Sequence, residues 1–549
     1  MPTSHPHAGK PAQTEHLIDT RKLIDAYHAT PGGTQACRAI SFGTSGHRGS
    51  SLDGSFNECH VIAIAQAVCD YRRQHHILGP VIVGKDTHLL SEPAQRNVIE
   101  VLAANDVTVQ LQKDDGYTPT PVVSHAILAH NRYYKDRADG IILTPSHNPP
   151  QDGGIKYNPP NGGPADSEAT GWIESRANAL MTTHQSDIRR IEYPRALALP
   201  HVQQLDLGQP YIDDLVNVID MDAIRAANLK IGVAPLGGAS LHYWKSIAAR
   251  YGLHLEIIHP TVDPTFSFMP LDHDGKIRMD CSSPYAMAGL VAHADRYTIA
   301  WGNDPDADRH GIVTPNVGLM NPNHYLAVAL HYLATHRPSW PIGAAIGKTL
   351  VTSHLLDTIA ADLERKVFET PVGFKWFAAG LFDGSLCFAG EESAGASLLK
   401  KDGGTWTTDK DGIVMGLLAA EITAVTGKNP GTYHQELVAR YGAPDYVRID
   451  LPIEARAREA LKHLDGSRVQ LSALGDEPIL ARQRSATGNG ADIGGIKVVT
   501  ENGWFAARPS GTEDMCKLYA ESFKGPRHLE TLVKQAKMVV DNALENPWG

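Results

Sequence analysis

The chain contains no long hydrophobic run and no excess of positive charge. No stretch reaches the roughly 18 apolar residues of a membrane-spanning helix, and residues 1–12, rich in Pro, His and Gly, lack the apolar core of a secretory signal. The 50 Lys and Arg against 61 Asp and Glu give a formal net charge of −11, which argues against a nucleic-acid partner or a polybasic membrane surface. We therefore expect no nucleic-acid partner, no membrane contact and no secretion.

Cysteine is also scarce. The chain has 6 cysteines, and none of them belongs to a Cys-x-x-Cys pair. This scatter indicates neither a zinc site nor a disulfide framework, so a reducing, cytoplasmic location is expected. At 549 residues the chain is too long for a single hydrophobic core, and roughly three to four domains are expected.

Helix and strand patterns alternate along the chain. Strands are predicted at residues 81–83, 107–111 and 140–143, and a predicted helix precedes each of them. This alternation is typical of βαβ units with a largely parallel sheet. Because ligands of such sheets bind beyond the carboxyl ends of the strands, the polar loops that follow strands are the candidate functional segments.

One of these loops carries Ser146. After the apolar strand the chain continues Thr144-Pro145-Ser146-His147-Asn148-Pro149-Pro150. Pro145 fixes its own φ and restricts Thr144, which holds the serine hydroxyl at a set angle to the strand end. A serine presented in this way is a candidate nucleophile or phosphate carrier. The alternative is an ordinary chain-reversing turn.

A second loop contains three alternating aspartates, Asp304, Asp306 and Asp308. Clustered like charges repel one another, so a bound divalent cation is expected, and oxygen ligands favour Mg²⁺, Mn²⁺ or Ca²⁺ over zinc. An EF-hand is excluded because its glycine position holds Arg309 and its final glutamate position holds Pro315. The alternative is a solvated acidic turn.

Three further loops have compositions that suit anions or sugars. Residues 508–512, Arg-Pro-Ser-Gly-Thr, offer a guanidinium, two hydroxyls and a glycine amide, which together suit a phosphate. Residues 390–393, Gly-Glu-Glu-Ser, suit sugar hydroxyls, and the Gly-rich residues 42–49 carry one arginine. Plain surface turns are the alternative for each loop. Residues 343–349 end like a nucleotide-binding P-loop, but one residue is missing between the two glycines, so they predict a strand end.

Taken together, the loops resemble the α-D-phosphohexomutase superfamily and, within it, the phosphoglucomutases. The matching segments follow the family's order at domain-sized spacing: Thr-Pro-Ser146-His-Asn-Pro, Asp304-Pro-Asp306-Ala-Asp308-Arg309, Gly-Glu391-Glu392-Ser393 and Arg508-Pro-Ser510-Gly-Thr512. The fold class that this implies is α/β, with three mixed α/β domains and a smaller C-terminal α+β domain around a central cleft. The expected domains are residues 1–205 with the phosphoserine loop, 206–322 with the metal loop, 323–441 with the sugar loop and 442–549 with the phosphate loop.

The resemblance also implies a role for each matched residue. The implied catalytic residues are Ser146 as the phosphoserine, His147 and Lys156 as alternative proton-transfer groups, and Arg48 as a neutralising charge. The implied metal ligands, for Mg²⁺, are a phosphoryl oxygen on Ser146 together with Asp304, Asp306 and Asp308. The implied substrate-binding residues are Arg309, Gly373, Glu391, Ser393, Lys410, Arg508, Ser510, Gly511 and Thr512.

Some positions depart from the family pattern. Pro149 and Pro150 stand where many relatives carry a glycine, and Val372 stands where several mutases have threonine. Lys410 is one of three lysines, with Lys400 and Lys401, that could fill the same role.

The implied reaction is the interconversion of glucose 1-phosphate and glucose 6-phosphate through a phosphoserine enzyme and glucose 1,6-bisphosphate. The expected partners are small hexose phosphates, and the expected assembly is a monomer or a homodimer. Three alternatives stay open. The sugar could be that of a phosphomannomutase, a dual-specificity mutase or a phosphopentomutase. The chain could be a metal-dependent phosphohydrolase, or an inactive sugar-phosphate-binding relative.

Overall fold

The computed structural model describes residues 5–29, 37–43, 46–182, 186–464, 466, 469, 471–510 and 515–545, with only the backbone described at 455–457 and 545. Among the described residues, four main sheets follow one another along the chain. No described helix has the length and apolar character needed to cross a membrane.

The first unit is a mixed sheet covered by helices. Its elements are α1 Thr20–Tyr27, β1 His47–Ser50, α2 Glu58–Gln74, β2 Val81–Lys85, α3 Ser91–Ala104, β3 Val109–Gln112, α4 Thr120–Tyr133, β4 Asp139–Leu143, β5 Asp152–Asn158, α5 Ser167–Thr182, α6 Tyr193–Leu197 and β6 Val202–Leu205. The order is β1-β5-β4-β2-β3-β6. Strands β4, β2, β3 and β6 are parallel, and β5 and β1 are antiparallel to their neighbours. Strands β2 and β4 are buried along their whole length, as the apolar residues of a covered parallel sheet should be.

The second and third units are also mixed. The second comprises α7 Gly208–Asp214, α8 Met221–Ala227, β7 Ile231–Ala234, α9 Leu241–Tyr251, β8 Leu255–Ile257, α10 Ala288–Val291, β9 Ile299–Gly302, β10 Gly311–Thr314 and β11 Gly318–Leu319, with the order β11-β10-β9-β7-β8. The third comprises α11 Pro322–His336, β12 Ala345–Thr349, α12 Leu355–Asp362, β13 Val367–Thr370, α13 Ala378–Asp383, β14 Leu386–Glu391, β15 Gly395–Leu398, α14 Gly412–Thr426 and α15 Pro430–Tyr441, with the order β13-β12-β14-β15.

The fourth unit is an antiparallel sheet with helices on one face. It comprises β16 Asp445–Pro452, α16 Ala455–Lys462, β17 Ala473–Leu474, β18 Glu477–Pro478, β19 Ala481–Ser485, β20 Asp492–Val499, β21 Gly503–Pro509, β22 Met515–Ser522 and α17 Pro526–Glu545, and the main sheet has the order β16-β22-β21-β20-β19. Leu461 of α16 and Leu532 of α17 share a core cluster with Leu518 of β22. The mixed α/β units and the α+β unit are the fold class that the resemblance implies.

The second and third units share one hydrophobic core. A continuous cluster contains Trp244 and Trp301 of the second unit, Leu330 and Leu418 of the third, and Val122 from α4 of the first. A buried polar contact lies beside it, where Glu421 of α14 accepts hydrogen bonds from Arg337 at 2.7 Å and from the Asp220 amide at 2.9 Å. These contacts hold the strand-end loops of the two units in a fixed relation.

Several expectations can be compared with the fold. Residues 345–349 form strand β12, as the interpretation of the false P-loop predicted. Residues 5–12 pack against the second unit, because Gly9 donates to the Leu271 carbonyl at 2.7 Å and Pro11 bridges to Pro270. The scatter of the cysteines indicated no disulfide framework, but the structure joins one pair, Cys37 and Cys59. Their separation of 22 residues gives no local spacing signal, since tertiary folding alone brings the 37–43 segment beside α2.

We expect Glu421→Gln to destabilise the protein strongly. The substitution leaves the buried Arg337 guanidinium without a countercharge, which typically costs about 3–5 kcal/mol. The midpoint of thermal unfolding measures the loss. Glu436→Gln is the matched control, because its pair with Lys428 is exposed and should contribute less than about 1 kcal/mol. Equal midpoints for the two variants would contradict a role for the buried pair.

Candidate active site

Ser146 lies directly after strand β4 in a left-handed backbone conformation, with φ of 60°. Its amide donates to Thr144 Oγ1 at 2.8 Å, and its hydroxyl donates to Asp304 Oδ2 of the second unit at 2.8 Å. A non-glycine residue with positive φ is uncommon and persists only where its surroundings hold it. The serine predicted from the first loop and the first aspartate of the second loop are therefore in direct contact.

His147 lies beside the same hydroxyl. Its Nδ1 is 3.2 Å from Ser146 Oγ, and its Nε2 is 3.9 Å from an oxygen of Asp280. Burial lowers the pKa of His147 well below its usual value, and the positive charges of Arg309 and Arg48 lower it further. The imidazole is therefore neutral, with hydrogen on one ring nitrogen and a free lone pair on the other.

The three aspartates lie in the loop between β9 and β10, and all three are buried. One oxygen of each lies within 4.8 Å of the others. The pKa of Asp304 is raised well above its ordinary value by burial and by the charges of Asp306 and Asp308. The loop is also held to the third unit, because the Gly412 amide donates to the Ala307 carbonyl at 3.0 Å.

Two lysines contact one side of this carboxylate cluster. Lys156 Nζ donates to Asp306 Oδ2 at 2.6 Å and to Asp308 Oδ2 at 3.2 Å, and Lys410 Nζ lies 3.0 Å from Asp308 Oδ2. Burial alone would lower the pKa of Lys156, but the charges of Asp306 and Asp308 outweigh it, so the pKa is raised. Lys156 therefore stays protonated in this arrangement, in contrast to His147.

The opposite side of the cluster fits a metal ion. Among the described residues, Asp306 Oδ1 and Asp308 Oδ1 are buried and accept no hydrogen bond. A buried carboxylate oxygen without a donor is unfavourable, and a divalent cation would satisfy both atoms at once. The donor set contains only oxygen, as Mg²⁺ and Mn²⁺ prefer. Another group of possible ligands, Cys37, Cys59 and His60, has its two sulfurs bonded to each other.

Two arginines add positive charge around the aspartates. The Arg309 amide donates to Asp304 Oδ1 at 3.0 Å, and its guanidinium lies 3.8 Å from Asp308. Arg48 is on β1, where burial lowers its pKa while the charges of the three aspartates oppose that shift. Both arginines are therefore close enough to act on the charge of the loop.

Glu391 ends strand β14 and is buried. Its carboxylate accepts a hydrogen bond from the Gly373 amide at 3.1 Å, which brings two predicted residues together. Burial raises the pKa of Glu391 to about 7, although the charge of Lys410 opposes the shift. Ser393 follows two residues later and is half-buried. Val372 packs into an apolar cluster with Val351, Trp504 and Tyr519, so its side chain offers no polar contact there.

Arg508 and Ser510 lie at the end of β21 in the fourth unit. Ser510 is buried, and its carbonyl accepts a hydrogen bond from Arg458 at 3.2 Å. Gly511 and Thr512, the other two predicted residues of this loop, lie outside the described residues. Burial raises the pKa of the neighbouring Tyr519 on β22 to about 12.

The structure adds residues that the motifs did not indicate. Thr120, at the start of α4, donates to Asp306 Oδ2 at 2.6 Å. Asp280 faces His147, and Asp86 accepts a hydrogen bond from Thr144 at 2.6 Å. Asp86 directly follows strand β2, so the rule that polar loops follow strands could have found it. Thr120 and Asp280 carry no comparable sequence signal.

The structure also distinguishes the three lysines between the sugar loop and α14. Lys410 contacts the aspartate loop, whereas Lys400 contacts Asp214 and Lys401 contacts the Ile219 carbonyl. The choice of Lys410 therefore remains the one that the geometry favours.

We expect Asp306→Asn to weaken divalent-cation binding at least about tenfold, because it removes one of the two buried oxygens without a donor. Titration with Mn²⁺, followed by electron paramagnetic resonance of the free ion, measures this affinity. Asp295→Asn is the control, since Asp295 is an exposed carboxylate of the same unit. Equal Mn²⁺ affinity in the two variants would contradict a metal site at the loop.

We also expect stability to depend on pH through Glu391. Its folded pKa of about 7 lies above the ordinary value of 4.5, so its contribution to stability is fully present below 4.5 and is lost as pH rises through about 7. Each pKa unit corresponds to about 1.4 kcal/mol, which bounds the loss at roughly 3 kcal/mol. As pH rises from 4.5 to 7, the thermal midpoint of the wild type should decrease relative to that of Glu391→Gln. A constant difference would contradict the raised pKa.

Comparisons with known proteins agree across all four units. Domain models described as phosphoglucomutase/phosphomannomutase match in chain order: alpha/beta/alpha domain I at residues 39–184, domain II at 209–318, domain III at 321–441 and the C-terminal domain at 458–537. Together they cover most of the chain.

Individual relatives extend over nearly its whole length. A phosphoglucomutase of Komagataeibacter xylinus is 52% identical over 539 residues, which cover 98% of this chain and 97% of that protein. The crystal structure of a putative phosphomannomutase from Thermus thermophilus has a TM-score of 0.72 at 26% identity and covers 92% of this chain and all of its own. The parafusin phosphoglucomutase of Paramecium shares the fold, with a TM-score of 0.73 at 20% identity, over 94% of this chain and 96% of its own. The chain belongs to the phosphoglucomutase/phosphomannomutase family and has its four-domain architecture.

Proposed function

We propose that this chain is a phosphoglucomutase, which interconverts α-D-glucose 1-phosphate and D-glucose 6-phosphate through glucose 1,6-bisphosphate. The observation that carries the proposal is the contact between Ser146 Oγ and Asp304 Oδ2, at 2.8 Å and across two domains. A nucleophilic hydroxyl against a buried carboxylate cluster is the arrangement that metal-assisted phosphoryl transfer requires. The bacterial relative that is 52% identical is itself named phosphoglucomutase.

The metal of this reaction is proposed to be Mg²⁺. Asp304, Asp306 and Asp308 would hold it, together with a phosphoryl oxygen on Ser146. Bound there, the ion would offset charge on the transferring phosphoryl group. Lys156 and Lys410 hold the Oδ2 atoms of Asp306 and Asp308 from the other side, which keeps their Oδ1 atoms directed away from the lysines.

The proton of the transfer is assigned to His147. When Ser146 takes a phosphoryl group from the bisphosphate, the P–O bond to the sugar breaks, a P–O bond to Oγ forms, and the Ser146 hydroxyl loses its proton while the sugar oxygen takes one up from water. His147 Nδ1 is 3.2 Å from Ser146 Oγ and is neutral, so it can accept the proton of that hydroxyl and return it to Oγ when phosphorylated Ser146 gives its phosphoryl group to a sugar hydroxyl. Lys156 is protonated and paired to two aspartates, which favours a role in holding charge.

The remaining predicted residues are assigned to the sugar and its second phosphate. Glu391, fixed by the Gly373 amide, and Ser393 would bind sugar hydroxyls, while Arg508, Ser510, Gly511 and Thr512 would bind the phosphate that is not reacting. The two phosphates of the bisphosphate would then exchange places between this loop and Ser146. Such an exchange requires two anion sites in one cleft, which accounts for loops from different domains.

The domain limits are proposed to be 1–205, 206–322, 323–441 and 442–549. They are supported by β6, which ends at Leu205 and completes the first sheet, and by β16, which begins at Asp445 after Gly442. We keep a cytoplasmic location and a monomer or homodimer as predictions.

The proposal is tested by intact-mass spectrometry of the purified protein before and after addition of glucose 1,6-bisphosphate. We expect the mass of one phosphoryl group on the wild type and none on Ser146→Ala, with mutase turnover reduced at least about 1,000-fold in the variant. Comparison of kcat/KM on glucose 1-phosphate and mannose 1-phosphate decides the sugar, and we expect glucose to be favoured.

Ser41→Ala is the control for the loss of a serine hydroxyl, because Ser41 is exposed and outside the loop. Near-normal turnover by Ser146→Ala would remove the phosphate-carrier role. Release of inorganic phosphate without isomerisation would instead identify a phosphohydrolase.

A further inference from the structure

The loop of Ser146 is held on both sides by one fully buried carboxylate, that of Asp86. On the side before the serine, Thr144 Oγ1 donates to Asp86 Oδ2 at 2.6 Å and accepts the Ser146 amide at 2.8 Å. On the side after the serine, His88 lies 2.8 Å from the same Asp86 oxygen and 3.0 Å from the Asn148 carbonyl. On each side of the serine, a single side chain therefore links the carboxylate to the loop backbone.

Asp86 is itself rigidly placed. It directly follows β2, and its amide donates to the Leu143 carbonyl at the end of β4 at 3.0 Å. Its other oxygen, Oδ1, accepts the His88 amide at 2.9 Å and the Ser91 hydroxyl at 2.6 Å. The described hydrogen bonds of Asp86 thus join it to the end of a strand, the start of a helix and the serine loop.

His88 makes its two ring contacts to groups that only accept hydrogen bonds. A carboxylate and a carbonyl each need a donor, so both ring nitrogens carry hydrogen and the imidazole is positively charged. Although burial alone would lower the pKa of His88, the charge of Asp86 outweighs it and the pKa is raised. The ring is also covered by Phe266 of the second unit, with centroids 5.0 Å apart.

The loop needs such support because its backbone is strained. Ser146 has a φ of 60°, a conformation that is unfavourable for a non-glycine residue and persists only where neighbours impose it. Pro145, Pro149 and Pro150 have no amide hydrogen, so they cannot supply backbone donors that would hold the loop. The side chains of Thr144 and His88 provide contacts where the prolines cannot.

We propose that Asp86, His88 and Thr144 are positioning residues that hold Ser146 Oγ at the metal loop for phosphoryl transfer. We call these three residues the serine-loop clamp. The described hydrogen bonds of the clamp reach the serine loop through the Ser146 amide and the Asn148 carbonyl, so the clamp acts through Ser146. This inference rests on the proposed mutase function for its kinetic consequences, and on the geometry alone for its effect on the loop.

Two pairs of variants test the clamp. Thr144→Val and Ser91→Ala each remove a hydroxyl that donates to Asp86 at 2.6 Å, but only Thr144 reaches the loop. His88→Gln places an amide nitrogen where Nε2 contacts the Asn148 carbonyl, whereas His88→Asn places it near Nδ1 and cannot reach the loop. Both variants of a pair therefore lose a buried polar contact, but only one of them also loses its contact to the serine loop.

The kinetic readout is the rate of Ser146 phosphorylation by glucose 1,6-bisphosphate in a single turnover, measured by intact mass, together with kcat and KM for glucose 1-phosphate. We expect Thr144→Val and His88→Asn to lower the transfer rate and kcat about 10- to 100-fold, as small misplacements of reacting groups do. KM of these two variants should stay within about twofold of the wild-type value. In Ser91→Ala and His88→Gln the transfer rate and kcat should stay close to those of the wild type. Equal rates within both pairs would overturn the clamp.

The second readout does not depend on activity. Hydrogen exchange of a peptide covering residues 141–150 should be faster in Thr144→Val and His88→Asn than in their partners, because the Ser146 amide and the Asn148 carbonyl lose their contacts. Unchanged exchange in both pairs would overturn the clamp. A wild type that accepts no phosphoryl group at Ser146 would overturn the proposed function instead, while the exchange data still decide the clamp. If one variant fails to fold, the other pair gives the answer.

Discussion

The concentration of negative charge in a dry site is the constraint on which the rest of this structure depends. Three carboxylates lie in one short buried loop, and the pKa of Asp304 is raised well above its ordinary value as a result. Such a cluster is stable only if cations surround it. Lys156 of the first domain, Lys410 of the third and Arg309 of the loop itself supply them. The ion pairs that neutralise the cluster thereby also join three domains.

The same charges separate the two groups that could move a proton. Positive neighbours and burial keep His147 neutral, whereas negative neighbours keep Lys156 protonated. The two groups contact different atoms of the site: His147 lies beside Ser146 Oγ, and Lys156 donates to Asp306. Two basic side chains of one site are thus held in different protonation states by their different neighbours.

Much of the site follows from a local rule. Apolar, β-branched segments predict strands, and the polar loops at the ends of these strands are candidate sites. Ser146 after β4, the aspartates after β9, Glu391 at the end of β14 and Arg508 near the end of β21 all satisfy the rule. The rule works because the carboxyl ends of strands lie at one edge of a sheet, where backbone groups and side chains are open to ligands. Applied to β2, it would also have indicated Asp86.

Other features carry no local signal because they arise between elements that are distant in the chain. The bond between Cys37 and Cys59 and the packing of residues 5–12 along residues 269–273 are both of this kind. Lys410 could not be separated from Lys400 by sequence, since all that distinguishes them is which carboxylate each one reaches. Thr120 reaches Asp306 across 186 residues of chain.

The sequence by itself determined the fold class, the four candidate loops and the family, because strand patterns, loop motifs and the order of those motifs can all be read along the chain. Only the tertiary structure decided which atoms meet: Ser146 Oγ with Asp304, the lysines with the Oδ2 atoms, and the Asp86 carboxylate with both ends of the serine loop. The physical reason is that a hydrogen bond or an ion pair forms or fails with a change of a few tenths of an ångström in the distance between its two atoms. The distances between these atoms are set by how the domains pack, and they cannot be predicted from residue spacing along the chain.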